Sequence, residues 1–282
     1  MRTFLQNLRN KFFGINFLLP KINEIARDQS LIRTELAFLR KDLLKWASVP
    51  ARVPLFLASS SGVAADSVDH IVPKGTSRDN TRWPRLAIWA EEFFGRKIRF
   101  LDLGCSGGGV VFDLHLGGHA AAGVEGSDLS ARFERAEWGT IGQHLFVSDI
   151  TKDFELREAG GTGAAQFDLI TAWEVLEHIP QNLLEGLFRN IDRHLAAGGV
   201  FAASVATFED MDAATGLRWH QTVKPKAWWL EEIRRVAPDL VEVRTGWRTK
   251  DFPRGSGNPN IPWDWDADAV PSLGFHLVMQ KR

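Results

Sequence analysis

Three acids and two histidines, each placed where an apolar run gives way to a loop, are the side chains best positioned to do chemistry. Asp102 lies in I-R-F-L-D-L-G-C-S-G-G-G, where a strand-like run meets a glycine-rich turn and then a helix-like pattern. Such a turn lets a nucleotide-type ligand approach the backbone closely, because glycine has no Cβ to block it. Glu125 ends A-A-G-V-E-G-S-D, and an acid about 20 residues beyond the first turn can accept both ribose hydroxyls. Asp149 ends V-S-D-I, where it can accept from the exocyclic amine of adenine while Ile150 packs on the ring. Asp102, an anion inside the strand end, suits a ligand carrying an ammonium group better than one carrying phosphates.

The histidines lie further on. His178 sits in W-E-V-L-E-H-I-P and His220 in L-R-W-H-Q-T-V-K-P-K-A-W-W. Either can serve as a base near neutral pH, and each also has the plainer reading of a hydrogen-bonded loop residue. Glu177, His178 and a nearby Asp lack convincing ligand spacing, so no metal site is expected. Trp228, Trp263, Asp264 and Trp265 combine indole faces with carboxylates, the composition that recognises sugars. The last three fall in a Pro-rich stretch, residues 247–271, whose alternative role is a rigid loop anchoring its own Trp residues.

The elements that must position these groups alternate strand with helix, the mark of a mostly parallel sheet with helices on both faces. Strands are expected at Ile98–Leu103, Ala120–Glu125, His144–Ser148, Phe167–Ala172, Val200–Val205, Leu240–Gly246 and Gly274–Gln280. Helices are expected at 83–94, from Val110, near 129–138, at Leu183–Leu195 and at Lys226–Val236. The main domain is therefore 84–282. Residues 51–83 read as a Ser/Gly/Asp-rich linker or a lid, with His70, Lys74, Arg78 and Arg82 as ligand contacts in the second case.

Residues 1–50 form a basic helical extension. From Ile22 to Trp46 its apolar positions alternate in steps of three and four, a heptad seam suited to a homo-oligomer or to packing on its own domain. Residues 3–19 mix Arg and Lys with apolar residues and suit a membrane surface. Across all 282 residues the net charge of −1 offers no basic field for nucleic acid. The single cysteine excludes an intrachain disulfide and, with no signal-type cleavage site or spanning run, points to the cytoplasm.

Taken together, L-D-L-G-C-S-G-G, G-V-E-G-S-D, V-S-D-I, W-E-V-L-E-H-I and L-A-A-G-G-V resemble, in order and spacing, the class I S-adenosylmethionine-dependent methyltransferases. The resemblance covers roughly residues 84–246 and, more loosely, 274–282. It implies a Rossmann-like sheet of seven strands, the last antiparallel. It implies S-adenosylmethionine as cofactor, with Asp102, Gly104, Cys105, Ser106 and Gly107 at the methionine end and Glu125 and Gly126 at the ribose. Asp149 and Ile150 would frame the adenine, and Trp173 and Glu174 would close the site. One position departs from the pattern: Ser106 stands where the family's D-x-G-x-G-x-G has its middle glycine.

For such an enzyme the expected reaction is O-methylation of a small-molecule acceptor, a sugar or glycan-pathway intermediate, with His178 or His220 as base. The alternatives are N- or C-methylation of another metabolite, a nicotinamide-dependent oxidoreductase, or a silent cofactor-binding partner.

Overall fold

The computed structural model describes residues 54–243 and 274–282, all within the unit Val49–Arg282. The heptad seam and residues 3–19 lie outside these residues, as does the stretch 247–271 with Trp263, Asp264 and Trp265.

The architecture is α/β. A seven-stranded sheet runs in the order β4-β3-β2-β6-β7-β9-β8. Its strands are β2 (Arg99–Leu103), β3 (Ala120–Glu125), β4 (Leu145–Val147), β6 (Phe167–Trp173), β7 (Leu195–Ala206), β8 (Leu240–Glu242) and β9 (Gly274–Lys281). β9 is antiparallel to both β7 and β8, and the other neighbours pair in parallel. In register, Leu101 faces Ala122 on one side and Ile170 on the other. Strands covered on both faces read as near-continuous apolar runs, which is why R-F-L-D-L, A-A-A-G-V-E and F-D-L-I-T-A-W were legible.

Helices cover the sheet: α1 (Val68–Ile71), α2 (Pro84–Phe94), α3 (Gly109–Leu116), α4 (Leu129–Arg132), α5 (Trp138–Ile141), α6 (Leu184–His194) and α7 (Lys226–Val236). In α6 the buried residues Leu184, Leu187, Phe188 and Ile191 repeat at three and four, giving one apolar stripe. α3 is buried along almost its whole length, so it packs between the sheet and α2 instead of presenting a polar face. Phe100, Phe112, Phe154, Phe167, Phe188, Phe201, Phe275 and Trp229 are fully enclosed, each worth roughly 1.5–3 kcal/mol of apolar burial.

Three differences from the sequence expectations have physical causes. The helix expected near 129–138 is broken into α4 and α5, because Glu134 and Ala136 adopt left-handed φ of 46° and 52°. β7 starts five residues early, directly at the end of α6, and shifts register against β6 between Phe167 and Leu169. The stretch 51–83, read as a linker or lid, contains β1 (Leu55–Ser59), which pairs with β5 (Glu155–Glu158) in a separate two-stranded antiparallel sheet. Neither of these strands has a long apolar run. No helix among the described residues is long and apolar enough to cross a membrane.

Strand order reverses between β2 and β6. The loops beyond the carboxyl ends of the parallel strands diverge there, and ligands bind in such a crevice.

Candidate active site

On one side of the crevice stand the three acids. Asp102 is buried and accepts from the Thr171 hydroxyl at 2.6 Å. Burial pushes its carboxyl up to about 7, with the Thr171 bond opposing and Glu125 adding to the shift. Glu125 is buried too, and its oxygens accept from the Ser106 N–H at 2.7 Å and the Ser127 N–H at 3.1 Å. Burial raises its carboxyl as well, against those two bonds. Asp149 accepts from the Thr151 N–H and hydroxyl at 3.0 and 2.7 Å, and Lys152 Nζ lies 3.3 Å from its other oxygen.

These features discriminate between ligands. The glycine turn spends the Ser106 N–H on Glu125 instead of offering it to an anion, and buried carboxylates line the strand ends. Pyrophosphate needs the reverse. An ammonium- and hydroxyl-bearing nucleoside fits this donor-poor, acceptor-rich wall, as S-adenosylmethionine requires. The turn is tightly packed: a Cβ on Gly104, whose φ is +71°, would fall 2.5 Å from Val175 Cγ2. Ser106 itself holds φ +45°, costing on the order of 1 kcal/mol. Its hydroxyl donates to the Asp79 carbonyl at 3.0 Å and accepts from Arg135 at 2.9 Å, and its carbonyl accepts from the Trp138 indole at 2.8 Å. The buried Cys105 thiol is held well above its ordinary range by that burial, so it is inert.

Residues 60–83 cross the strand ends from β4 to the loop after β7. The Gly62 carbonyl accepts from the Asp149 N–H at 2.7 Å, and the Ala64 N–H donates to Gly126 O at 2.8 Å. His70 Nδ1 lies 3.2 Å from Ser127 Oγ, and Asp69 Oδ2 lies 2.9 Å from His178 Nδ1. Lys74 pairs with Asp210 at 2.9 Å, and the Trp219 indole donates to Val72 O at 3.2 Å. Arg82 pairs with the buried Asp113 of α3, which also accepts from the Trp83 N–H at 2.6 Å. Arg82 is thereby committed to the scaffold, whereas the exposed Lys74 and Arg78 face an open groove of about 610 Å³. The groove is also lined by Val72, Pro73, Met211, Asp212, Ala213 and Trp219.

On the other side, a short 3-10 turn, Leu176–His178, follows β6. Glu174 turns the chain out of the strand at φ +53°, with its N–H donated to Ser204 Oγ at 2.9 Å. Glu177 is fully buried: Oε1 accepts from the Ala206 N–H at 2.9 Å, and Oε2 has no hydrogen-bond partner among the described residues. Burial and the Glu174 charge raise the Glu177 carboxyl to about 7, with His178 opposing. Burial pulls His178 down, but the Asp69 bond and charge, with Glu177 and Glu174, outweigh it and hold the ring at about 9. His220 goes the other way, lowered chiefly by burial. Its Nδ1 lies 2.6 Å from the Phe208 carbonyl, and its ring meets that of His178 edge-on at 4.9 Å.

The structure thus gathers Asp102, Gly104, Cys105, Ser106, Gly107, Glu125 and Gly126 around one turn, and His178 and His220 around another. Trp173 packs edge-on against Trp83 at 5.4 Å, lying between the strand end and α2. Trp228 stands apart: it packs on the core and against Trp229, away from the groove walls. Sequence reasoning missed Asp69 and the Phe208 carbonyl. No sequence signal links Asp69 to His178 across 109 positions.

A methyltransferase-domain family model matches residues 77–237. Over 91 residues the chain is 41% identical to the ubiquinone biosynthesis O-methyltransferase of Azoarcus sp. (strain BH72), covering 30% of this chain and 34% of that protein. The same-named protein of Thiobacillus denitrificans is 34% identical over 90 residues, with the same coverage. The match therefore spans about a third of the length of these curated relatives. Among solved structures, the Burkholderia thailandensis 1,6-didemethyltoxoflavin-N1-methyltransferase superposes with TM-score 0.48 at 15% identity, covering 76% of this chain and 84% of that one. A TehB-like methyltransferase of Corynebacterium glutamicum gives TM-score 0.47 at 19% identity, covering 70% and 86%.

Proposed function

We propose that this chain, which belongs to the S-adenosylmethionine-dependent methyltransferase family, methylates a hydroxyl oxygen of a small anionic acceptor. S-Adenosylmethionine supplies a methyl group on a sulfonium, already activated for in-line displacement, so the protein's work is orientation and handling of the acceptor's proton. Asp102 is assigned the ammonium of the methionine end and Glu125 the ribose hydroxyls. Asp149 and Ile150 are assigned the adenine. Residues 60–83 act as a lid that keeps water from the reacting atoms.

The observation that carries the choice of oxygen is the cluster of Glu177, His178 and His220 at the crevice, beside the groove. An amine or carbon acceptor has less need of such a cluster, while a hydroxyl must lose a proton. In His220 the Nδ1 proton is donated to the Phe208 carbonyl, which leaves Nε2 as a lone pair able to accept it. The Asp69 carboxylate orients His178 too, but with that ring held at about 9 it is already protonated at neutral pH, so His220 is the proton acceptor of the two. The curated relatives from Azoarcus and Thiobacillus are O-methyltransferases, which supports oxygen over nitrogen.

A sugar or glycan-pathway acceptor remains our reading, sharpened to an anionic one. Arg78 offers a positive charge beside the Lys74–Asp210 pair and Asp212, and the ring of Trp219, with Lys74 Nζ 4.4 Å from its centroid, offers a flat apolar wall. The sugar surface expected around Trp263, Asp264 and Trp265 lies outside the described residues, and Trp228 does not contribute to the groove. Incubating the full chain with methyl-labelled cofactor and a panel of sugar phosphates, sugar nucleotides and neutral sugars tests this. Label is expected in an O-methyl group of an anionic member; label only on amines or carbon would overturn it.

A further inference from the structure

We infer that the outer edge of β1 is a self-association surface, on which a second copy of this chain adds its own β1 antiparallel across a two-fold axis. Among the described residues β1 pairs with β5 alone, in a sheet of two strands. The Ala159 N–H donates to Pro54 O at 2.9 Å, which fixes the alternation of that ladder. Pro54 and Phe56 therefore turn their backbone groups toward β5, and Leu55 and Leu57 turn theirs away. Outward N–H and C=O groups of this kind are a template for a further strand.

The strand also lacks most of the devices that keep an edge from pairing. L-F-L-A-S carries no charge and no proline, and its first interruption is the bulge between Leu57 and Ser59. Leu55 and Leu57 pack on the core, whereas Phe56, on the opposite face, is 43% exposed. The segment ahead of the bulge is self-complementary. With Phe56 on the axis, Leu55 of one copy faces Leu57 of the other and exchanges both hydrogen bonds with it. Phe56 then meets Phe56 of the second copy at a non-hydrogen-bonded position, where side chains come closest, and each ring covers the other.

The chain ahead of β1 is what supplies the second copy. It carries the heptad seam read from the sequence at Ile22–Trp46, and eight residues, 47–54, separate that seam from Leu55. Fully extended, they reach no further than about 30 Å. A ladder of three residues is too short to hold two copies by itself. Parallel pairing of the seams would bring two β1 strands within that reach and make their pairing effectively intramolecular. The inference uses neither the donor nor the acceptor assignments.

The test is sedimentation of the full chain over a range of concentrations, with oxidative cross-linking of Phe56→Cys. A dimer is expected for the wild type. Phe56→Lys and Phe56→Glu each set like charges on the axis and should weaken it at least tenfold. An equimolar mixture of the two variants should restore it, because Lys then meets Glu. The native Cys105 is buried, so Phe56→Cys offers one accessible thiol, and mild oxidation should join two copies through it. Phe133→Cys, at a position 70% exposed, should cross-link at least tenfold more slowly. A monomeric wild type overturns the inference. So does a dimer that the charges at position 56 leave unchanged, which would place association in the seam alone. Cross-linking of Phe56→Cys no faster than that of Phe133→Cys overturns it as well.

Discussion

The two banks of the crevice are built differently. The β2–β3–β4 bank holds its carboxylates at strand ends and ties them to the sheet and its turns: Asp102 accepts from Thr171 on the neighbouring β6, Glu125 from Ser127 two residues on, Asp149 from Thr151 two residues on. The β6–β7 bank is assembled from distant pieces. His178 depends on Asp69, His220 on the loop carrying Phe208, and Glu177 on the end of β7. The first bank is a property of the sheet, and in the function proposed it serves the donor. The second is a property of how three loops meet, which is where a family varies its acceptor.

That division can be broken experimentally, and the largest effect is expected on the donor bank. Glu125→Ala removes the acceptor of two backbone N–H groups as well as the ribose contact. Affinity for S-adenosylhomocysteine should fall at least 100-fold by calorimetry. Second, His220→Ala should leave that affinity within twofold while cutting turnover of a hydroxyl acceptor about 100-fold or more, the scale of a lost proton acceptor. A variant that loses both together would mean the two banks are one unit.

Third comes pH. The Asp102 carboxyl is raised to about 7 in the ligand-free chain, so below that pH it carries a proton that a cationic ligand must displace. Affinity for S-adenosylhomocysteine should therefore fall as pH drops through 7, approaching tenfold per unit, and level off above it. Asp102→Asn should flatten this dependence. The smallest effect is expected at Ser106. Ser106→Gly relieves the left-handed backbone but removes the hydroxyl bridge from the turn to Asp79 and Arg135. Its net change in unfolding free energy should stay within about 1 kcal/mol.

Legibility in the sequence follows the same line. The sheet was readable because buried parallel strands are unbroken apolar runs, and the donor acids because each directly ends such a run. Ser106 was readable as a departure, and its φ of +45° shows why glycine is the usual occupant. β1 and β5 were not legible: L-F-L-A-S and E-L-R-E are short, and only their pairing with each other makes them strands. Nor was the acceptor bank. E-H after β6 and W-H after β7 were visible as histidines, but not that they would meet each other beside the buried Glu177. Long-range loop contacts leave no periodicity to read.

In the function proposed, donor binding and acceptor chemistry occupy separable banks. Calorimetric titration of S-adenosylhomocysteine into the wild-type chain, Glu125→Ala and His220→Ala, side by side, tests it most directly. The prediction is saturable one-to-one binding to the wild type, near-complete loss in Glu125→Ala, and unchanged affinity in His220→Ala. Binding that survives Glu125→Ala, or that disappears in a folded His220→Ala, would contradict it.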